Sequence, residues 1–123
     1  MKILIVDDEP HLRMLIQQTL EELEDDGVEI LTAANGEEAL ETIREQQPKL
    51  VFLDVMMPKK NGFDVCNSVK NELGLSHIHI ILLTAKGQEF DRQRGQEVGA
   101  DLYMTKPFDP DALLAKARAV LGL

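Results

Sequence analysis

Two kinds of hydrophobic pattern alternate along the chain. One is a short, mainly apolar run: Lys2 to Val6 (KILIV), Leu50 to Leu53 (LVFL) and Ile78 to Leu83 (IHIILL), the last ending at Thr84–Ala85. Each run is too short for a helix and apolar on both faces, which predicts strands covered on both sides. Glu29 to Ala33 (EILTA) and Leu102 to Thr105 (LYMT) are shorter and less oily strands of the same kind.

The other pattern repeats every 3.6 residues. From about Pro10, Leu12, Leu15, Ile16, Leu20 and Leu23 form one helical stripe, and Asp25–Asp26–Gly27 closes it with a turn. Asn35–Gly36 caps a second helix, GEEALETIREQ, with its stripe at Ala39, Leu40 and Ile43, and Pro48 ends that unit. A loop over Val55 to Asn61 leads to a helix from Gly62 to about Leu73, with a tight turn at Lys59–Lys60–Asn61–Gly62 where Asn or Gly takes φ > 0 cheaply. The helix over about Gln88 to Val98 is weakly apolar, offering Phe90 and Val98, and is the candidate for the most movable element. The last helix has Asp109 as N-cap, Pro110 at its first position and a stripe of Leu113, Leu114, Ala117, Val120 and Leu121.

Strand and helix therefore alternate five times without linker or repeat, which predicts one α/β domain over 1–123 with a doubly wound parallel sheet of order 2-1-3-4-5 and five flanking helices. In that order strands one and three lie side by side at the switch point, where open α/β sheets bind their ligands. The first strand runs into Asp7, Asp8 and Glu9, and the third into Asp54. Two carboxylate charges about 4–5 Å apart repel by about 3–4 kcal/mol at an effective dielectric of about 20, so a cation is required. Hard oxygen ligands suit Mg²⁺, Lys106 adds a permanent cation, and Thr84 adds a hydroxyl. Such a pocket meets the needs of a phosphoryl group's equatorial oxygens.

These residues together resemble the receiver domain of a two-component response regulator, along the whole chain. Asp7 and Asp8 resemble the family's metal-binding acid pair, Asp54 its phosphoacceptor, Thr84 the hydroxyl that follows it, and Lys106–Pro107 its lysine and cis-proline. Tyr103 holds the place of the aromatic switch residue, Met56 that of the residue whose backbone carbonyl ligates the metal, and Pro58 and Gly62 match the loop after the phosphoacceptor. The resemblance implies a flavodoxin-like fold, a histidine kinase or phosphotransfer protein as donor, Mg²⁺ as cofactor, and a regulatory binding module in place of a turnover enzyme. It also implies that Thr84 and Tyr103 form the switch, and that the fourth helix near Arg92, the fifth strand at Tyr103 and the fifth helix near Lys116 form the face read by an effector protein. Met56 and Lys86 occupy the positions that tune how long the phosphoryl group persists, and their bulk argues for persistence. The dimerising transcription-factor branch carries acids on the effector face; this chain keeps Asp101 but has Leu102 and Ala112 where further acids are expected, which favours a monomer or a weak phosphorylation-dependent dimer.

Composition narrows the alternatives. With 22 acids against 13 bases the net charge is -9, opposing direct contact with a nucleic acid backbone. The apolar runs are too short for a membrane span and MKILIVDDE is no signal peptide, so a cytoplasmic location is expected, with no effector domain within these residues. The one cysteine, Cys66, reads as a small buried hydrophobe, and His11, His77 and His79 show no metal-ligand spacing. A haloacid-type aspartyl phosphatase wants a second Asp two positions after the nucleophile, where Met56 stands; a dinucleotide binder wants glycines after the first strand, where the acids stand. An adaptor on this fold that is not phosphorylated would be expected to lack Asp54, Lys106 or the acid pair.

Overall fold

A computed structural model describes residues 1–85 and 89–123, and the side chains outside 85–92. Five parallel strands, β1 (Lys2–Val6), β2 (Glu29–Ala33), β3 (Leu50–Asp54), β4 (His79–Ala85) and β5 (Leu102–Lys106), form one sheet of order β2-β1-β3-β4-β5. Helices α1 (Pro10–Leu20), α2 (Gly36–Gln46), α3 (Gly62–Asn67), α4 (Glu89–Glu97) and α5 (Pro110–Leu121) make the crossovers. The alternation of side chains along each strand divides the core in two. Ile3, Ile5, Phe52, Ile81 and Leu83 pack with Ile16 and Leu20 of α1 and Leu113 and Ala117 of α5. Leu4, Val6, Val51, Leu53, Ile80 and Leu82 pack with Ala39 and Ile43 of α2 and Phe63 and Val65 of α3. Every residue of β3 is buried, as its unbroken apolar run requires.

The helix starts follow their capping residues. Asn35 accepts from the Glu38 amide at 2.9 Å, Asn61 from Asp64 at 2.9 Å, and Asp109 from Asp111 at 3.1 Å ahead of Pro110. The helical stripe of α1 is narrower than its period suggests. Leu15 is 42% exposed beside exposed Met14, because the helix rests on the sheet through Ile16 and Leu20. The α-helix ends at Leu20, and a 3₁₀ segment, Glu21–Asp26, tucks Leu23 into the core before Gly27 turns left-handed. The helix expected up to Leu73 is α-helical only to Asn67; over Ser68–Glu72 it widens to π geometry, closed by the Leu73 amide on the Ser68 carbonyl.

The tight turn after β3 also differs from expectation. Positive φ falls on Lys59 (68°), where the Lys60 amide closes a three-residue turn on the Pro58 carbonyl, while Asn61 is an extended N-cap. Gly62 is needed for space instead. A Cβ there would lie 2.4 Å from the Asp54 backbone oxygen, and one on Gly36 would lie 1.9 Å from the Lys60 oxygen. The loop is thus clasped between the end of β3 and the start of α2. Helix α4 lies on the sheet through Gly95, whose missing Cβ would meet Leu82 at 3.1 Å and the Tyr103 ring at 3.8 Å. Arg94 stacks over Phe63 at 5.5 Å. Gln88, the expected start of this helix, lies outside the described residues, as do Lys86 and the side chains of Phe90 and Arg92.

Candidate functional site

The register of the sheet sets the site. Val6 pairs with Leu53, so the next residues of the two adjacent strands, Asp7 and Asp54, emerge together at the carboxyl edge. Lys106 ends β5, and its side chain crosses the end of β4 to reach both acids, lying 2.9 Å from Asp54 Oδ1 and 3.2 Å from Asp7 Oδ2. Carboxylate oxygens of Asp7, Asp8 and Asp54 all lie within 4.8 Å of one another. Asp7 is fully buried and Asp54 is 4% exposed, whereas Asp8 faces solvent. A cavity of about 280 Å³ opens above them, lined by Asp8, Glu9, Asp54, Met56, Leu83 and Lys106. A wider groove of about 790 Å³ between α2 and α3 is walled by Glu41, Arg44, Asp64 and Glu72, whose mixed charges converge on no common point of chemistry.

Electrostatics make the small cavity unusual. Burial raises the Asp54 carboxyl to about 6; the Lys106 hydrogen bond pulls it back, and the charges of Asp7 and Asp8 push it up. Burial also disfavours the Lys106 ammonium, but its hydrogen bond to Asp54 and the charges of Asp54 and Asp7 outweigh that, so its pKa rises. One lysine therefore faces three acids, and the cluster keeps an excess of negative charge. Hard carboxylate oxygens converging at this spacing fit a small divalent cation such as Mg²⁺.

The other residues singled out in the sequence take different positions. Thr84 is buried, and its hydroxyl donates to the Met104 carbonyl at 3.5 Å, toward β5 and not toward Asp54. Tyr103 is half-buried against the core cluster under α4. Met56 is 67% exposed on the cavity rim, and the Lys106–Pro107 peptide is cis. Cys66 is buried with its thiol pushed up to about 12 by burial, and donates to the Val98 carbonyl at 3.5 Å. Glu9 was read only as one of the acids ending the first strand, and Arg13 escaped the sequence reading. Glu9 lines the cavity, and Arg13 donates to the backbone carbonyl of Asp7 at 2.6 Å. The available signal was their spacing: Glu9 directly follows the acid pair, and Arg13 follows Glu9 by one helical turn.

The response regulator receiver domain model matches residues 3–118. This chain belongs to the response regulator receiver family. Among curated relatives of this receiver domain, the "Probable transcriptional regulator ycf27" of Pyropia yezoensis is 48% identical over 98% of the chain and 47% of its own length. The alkaline phosphatase synthesis transcriptional regulatory protein PhoP of Bacillus subtilis is 44% identical over 98% of the chain and 48% of its own. The chain spans about half the length of such relatives. The structure of the chemotaxis response regulator CheY4 of Vibrio cholerae superposes with a TM-score of 0.83 at 34% identity, covering 97% of both chains. The receiver is thus a domain of two-component signal transduction, in a regulatory family whose general mechanism is phosphorylation of an aspartate. Receiver domains generally bind Mg²⁺ at an acidic pocket, and Asp7, Asp8 and Asp54 form an acidic cluster in this one. Among the described residues no helix is long and apolar enough to cross a membrane.

Proposed function

We propose that residues 1–123 act as one receiver unit in which Asp54 takes a phosphoryl group from a phosphohistidine of a kinase or phosphotransfer protein. The observation that carries this reading is the convergence of Lys106 on Asp54 and Asp7 inside a cluster of three acids. An Asp54 oxygen forms the bond to phosphorus as the N–P bond breaks, and the imidazole leaves with that electron pair. The carboxylate needs no base, since at neutral pH most of it is already ionised. Lys106 offsets charge at the acceptor, and Asp8, Asp54 and the Met56 carbonyl would hold Mg²⁺, with Asp7 contributing through a bound water. When bound, the metal supplies charge neutralisation at the phosphoryl oxygens. The domain in this way assists its own phosphorylation and slow dephosphorylation, with Met56 on the rim hindering the attacking water.

Thr84 and Tyr103 would report the event to the face formed by α4, β5 and α5, and that face would engage the effector. The names of the ycf27 and PhoP relatives point to transcription as an output. With a net charge of -9 the chain described here would act on it through another domain or protein. A cytoplasmic setting, where histidine kinases present their phosphohistidine, accords with this role. Incubation with acetyl phosphate and Mg²⁺ tests the assignment: the protein gains one phosphoryl group and Asp54→Ala gains none. Undiminished incorporation in the variant would remove it.

A further inference from the structure

Asp8 poses a problem that the burial of its neighbours does not solve. It is the exposed member of the acid cluster, so packing does not hold its carboxylate where Asp7 and Asp54 need it. What holds it is the backbone on either side. On the far side, the Glu9 amide donates to Asp7 Oδ1 at 2.9 Å. On the near side, the peptide joining Asp7 to Asp8 has its carbonyl held by the Arg13 guanidinium, whose Nη1 lies 2.6 Å from the Asp7 oxygen.

Asp7 is thereby held at every polar atom. Its amide donates to Ala33, its two carboxylate oxygens accept from Glu9 and Lys106, and its carbonyl accepts from Arg13. Of these four contacts only Arg13 controls the plane of the Asp7–Asp8 peptide. Arg13 is itself rooted in α1, its amide donating to the Glu9 carbonyl at 3.0 Å. The choice of partner is informative. A guanidinium that reaches the backbone of an acid pair could have formed a bidentate pair with a carboxylate. Among the described residues Arg13 forms no ion pair, and it satisfies a backbone carbonyl at the sheet edge instead. The carboxylate oxygens are left to face the cavity.

We infer that Arg13 is a positioning residue for the acid pair: by clamping the Asp7 carbonyl it sets the direction in which the exposed Asp8 carboxylate leaves the chain, and so presets that oxygen for a divalent cation. The inference rests on the reading of the acid cluster as a Mg²⁺ site. It has a sign that charge alone would not give. Removing a cation from beside three acids should tighten Mg²⁺ binding if Arg13 acts only through its field, and weaken it if Arg13 acts through geometry.

The test is calorimetric titration of the unphosphorylated chain with Mg²⁺, comparing the wild type with Arg13→Met, which keeps the packing of the stem without the donor, and with Arg13→Lys, which keeps one donor. Outer partners of metal ligands typically change affinity by 10-fold or more. Arg13→Met is expected to bind Mg²⁺ roughly 10-fold more weakly and Arg13→Lys to recover most of the loss. Phosphorylation of Arg13→Met by acetyl phosphate should be slow at low Mg²⁺ and approach the wild-type rate at saturating Mg²⁺. Affinity in Arg13→Met equal to or tighter than wild type overturns the role of Arg13, as does an Arg13→Lys no better than Arg13→Met. Should Arg13→Met not fold, Arg13→Gln, which is shorter and uncharged, is titrated in its place: Mg²⁺ affinity roughly 10-fold weaker than wild type supports the inference, and an unchanged or tighter one overturns it. A wild-type chain that takes up no Mg²⁺ removes the reading of the acid cluster itself, and the inference with it.

Discussion

The Lys70 ammonium lies 2.8 Å from Asp101 Oδ2, an oxygen that also accepts the Ile80 amide at 2.8 Å. The acid that this chain retains on the proposed effector face is therefore committed within the molecule, tying the start of β5 to β4 and to the π turn after α3. The Lys70 side chain is 8% exposed, so Asp101→Ala leaves its ammonium, among the described residues, with the Ser76 carbonyl at 3.3 Å and orphans a strand amide. A cost of about 1–3 kcal/mol is expected in urea denaturation. Adding Lys70→Met should recover part of it, and a strictly additive double variant would mean that the two residues are not coupled.

The same commitment bears on assembly. With Asp101 engaged by Lys70, Leu102 packed into the core cluster and Ala112 on α5, the proposed effector face has few acids to offer a symmetric arginine-pairing partner. Light scattering with beryllofluoride should therefore show a monomer, or at most a weak dimer, at micromolar concentrations. A clean monomer-to-dimer shift that Lys116→Glu abolishes would overturn this.

Stability should fall as pH rises across the Asp54 titration in metal-free buffer. Burial places the folded carboxyl at about 6 against an ordinary value of 3.8, so between those values the folded chain binds more protons than the unfolded one. The stability that this group contributes is full below its unfolded value and is lost through about pH 6, a loss on the order of 3 kcal/mol. Asp54→Asn should remove this slope, melting above the wild type at pH 7.5 with chelator and with little advantage at pH 4.5. Mg²⁺ should stabilise the wild type more than the variant.

Thr84→Ala should keep phosphorylation and lose its readout. The Thr84 hydroxyl rests on the Met104 carbonyl, next to Tyr103, whose ring lies beneath Gly95 of α4. The chain has one tyrosine and no tryptophan, so intrinsic fluorescence reports Tyr103 alone. Beryllofluoride should change that fluorescence in the wild type and leave it nearly flat in Thr84→Ala; an unchanged response in the variant would end the coupling idea.

The strand order and the convergence of Asp7, Asp8, Asp54 and Lys106 were legible in the sequence because parallel strands bury both faces, and an acid after such a run has few places to go. What the pattern missed depends on details that period does not encode. Leu15 fits the α1 stripe by spacing but faces water, since only Ile16 and Leu20 reach the sheet. Lys59 adopts positive φ next to residues better suited to it, because the loop must bend before the Gly62 contact. Arg13 was invisible as a functional residue because its partner is a backbone carbonyl, which no side-chain motif announces.

The two glycine contacts that clasp the loop after β3 also mark where the chain can and cannot be lengthened. Between Asp54 and Gly62 both ends are seated against backbone, so one inserted residue would have to unseat Gly62 from the Asp54 carbonyl or Lys60 from Gly36. A peptide tag or reporter grafted there would disturb Asp54 itself. Gly74, with a positive φ of 66° and no atom within 4 Å of where its Cβ would stand, lies on an exposed bend before β4 and offers the graft an open exit into solvent.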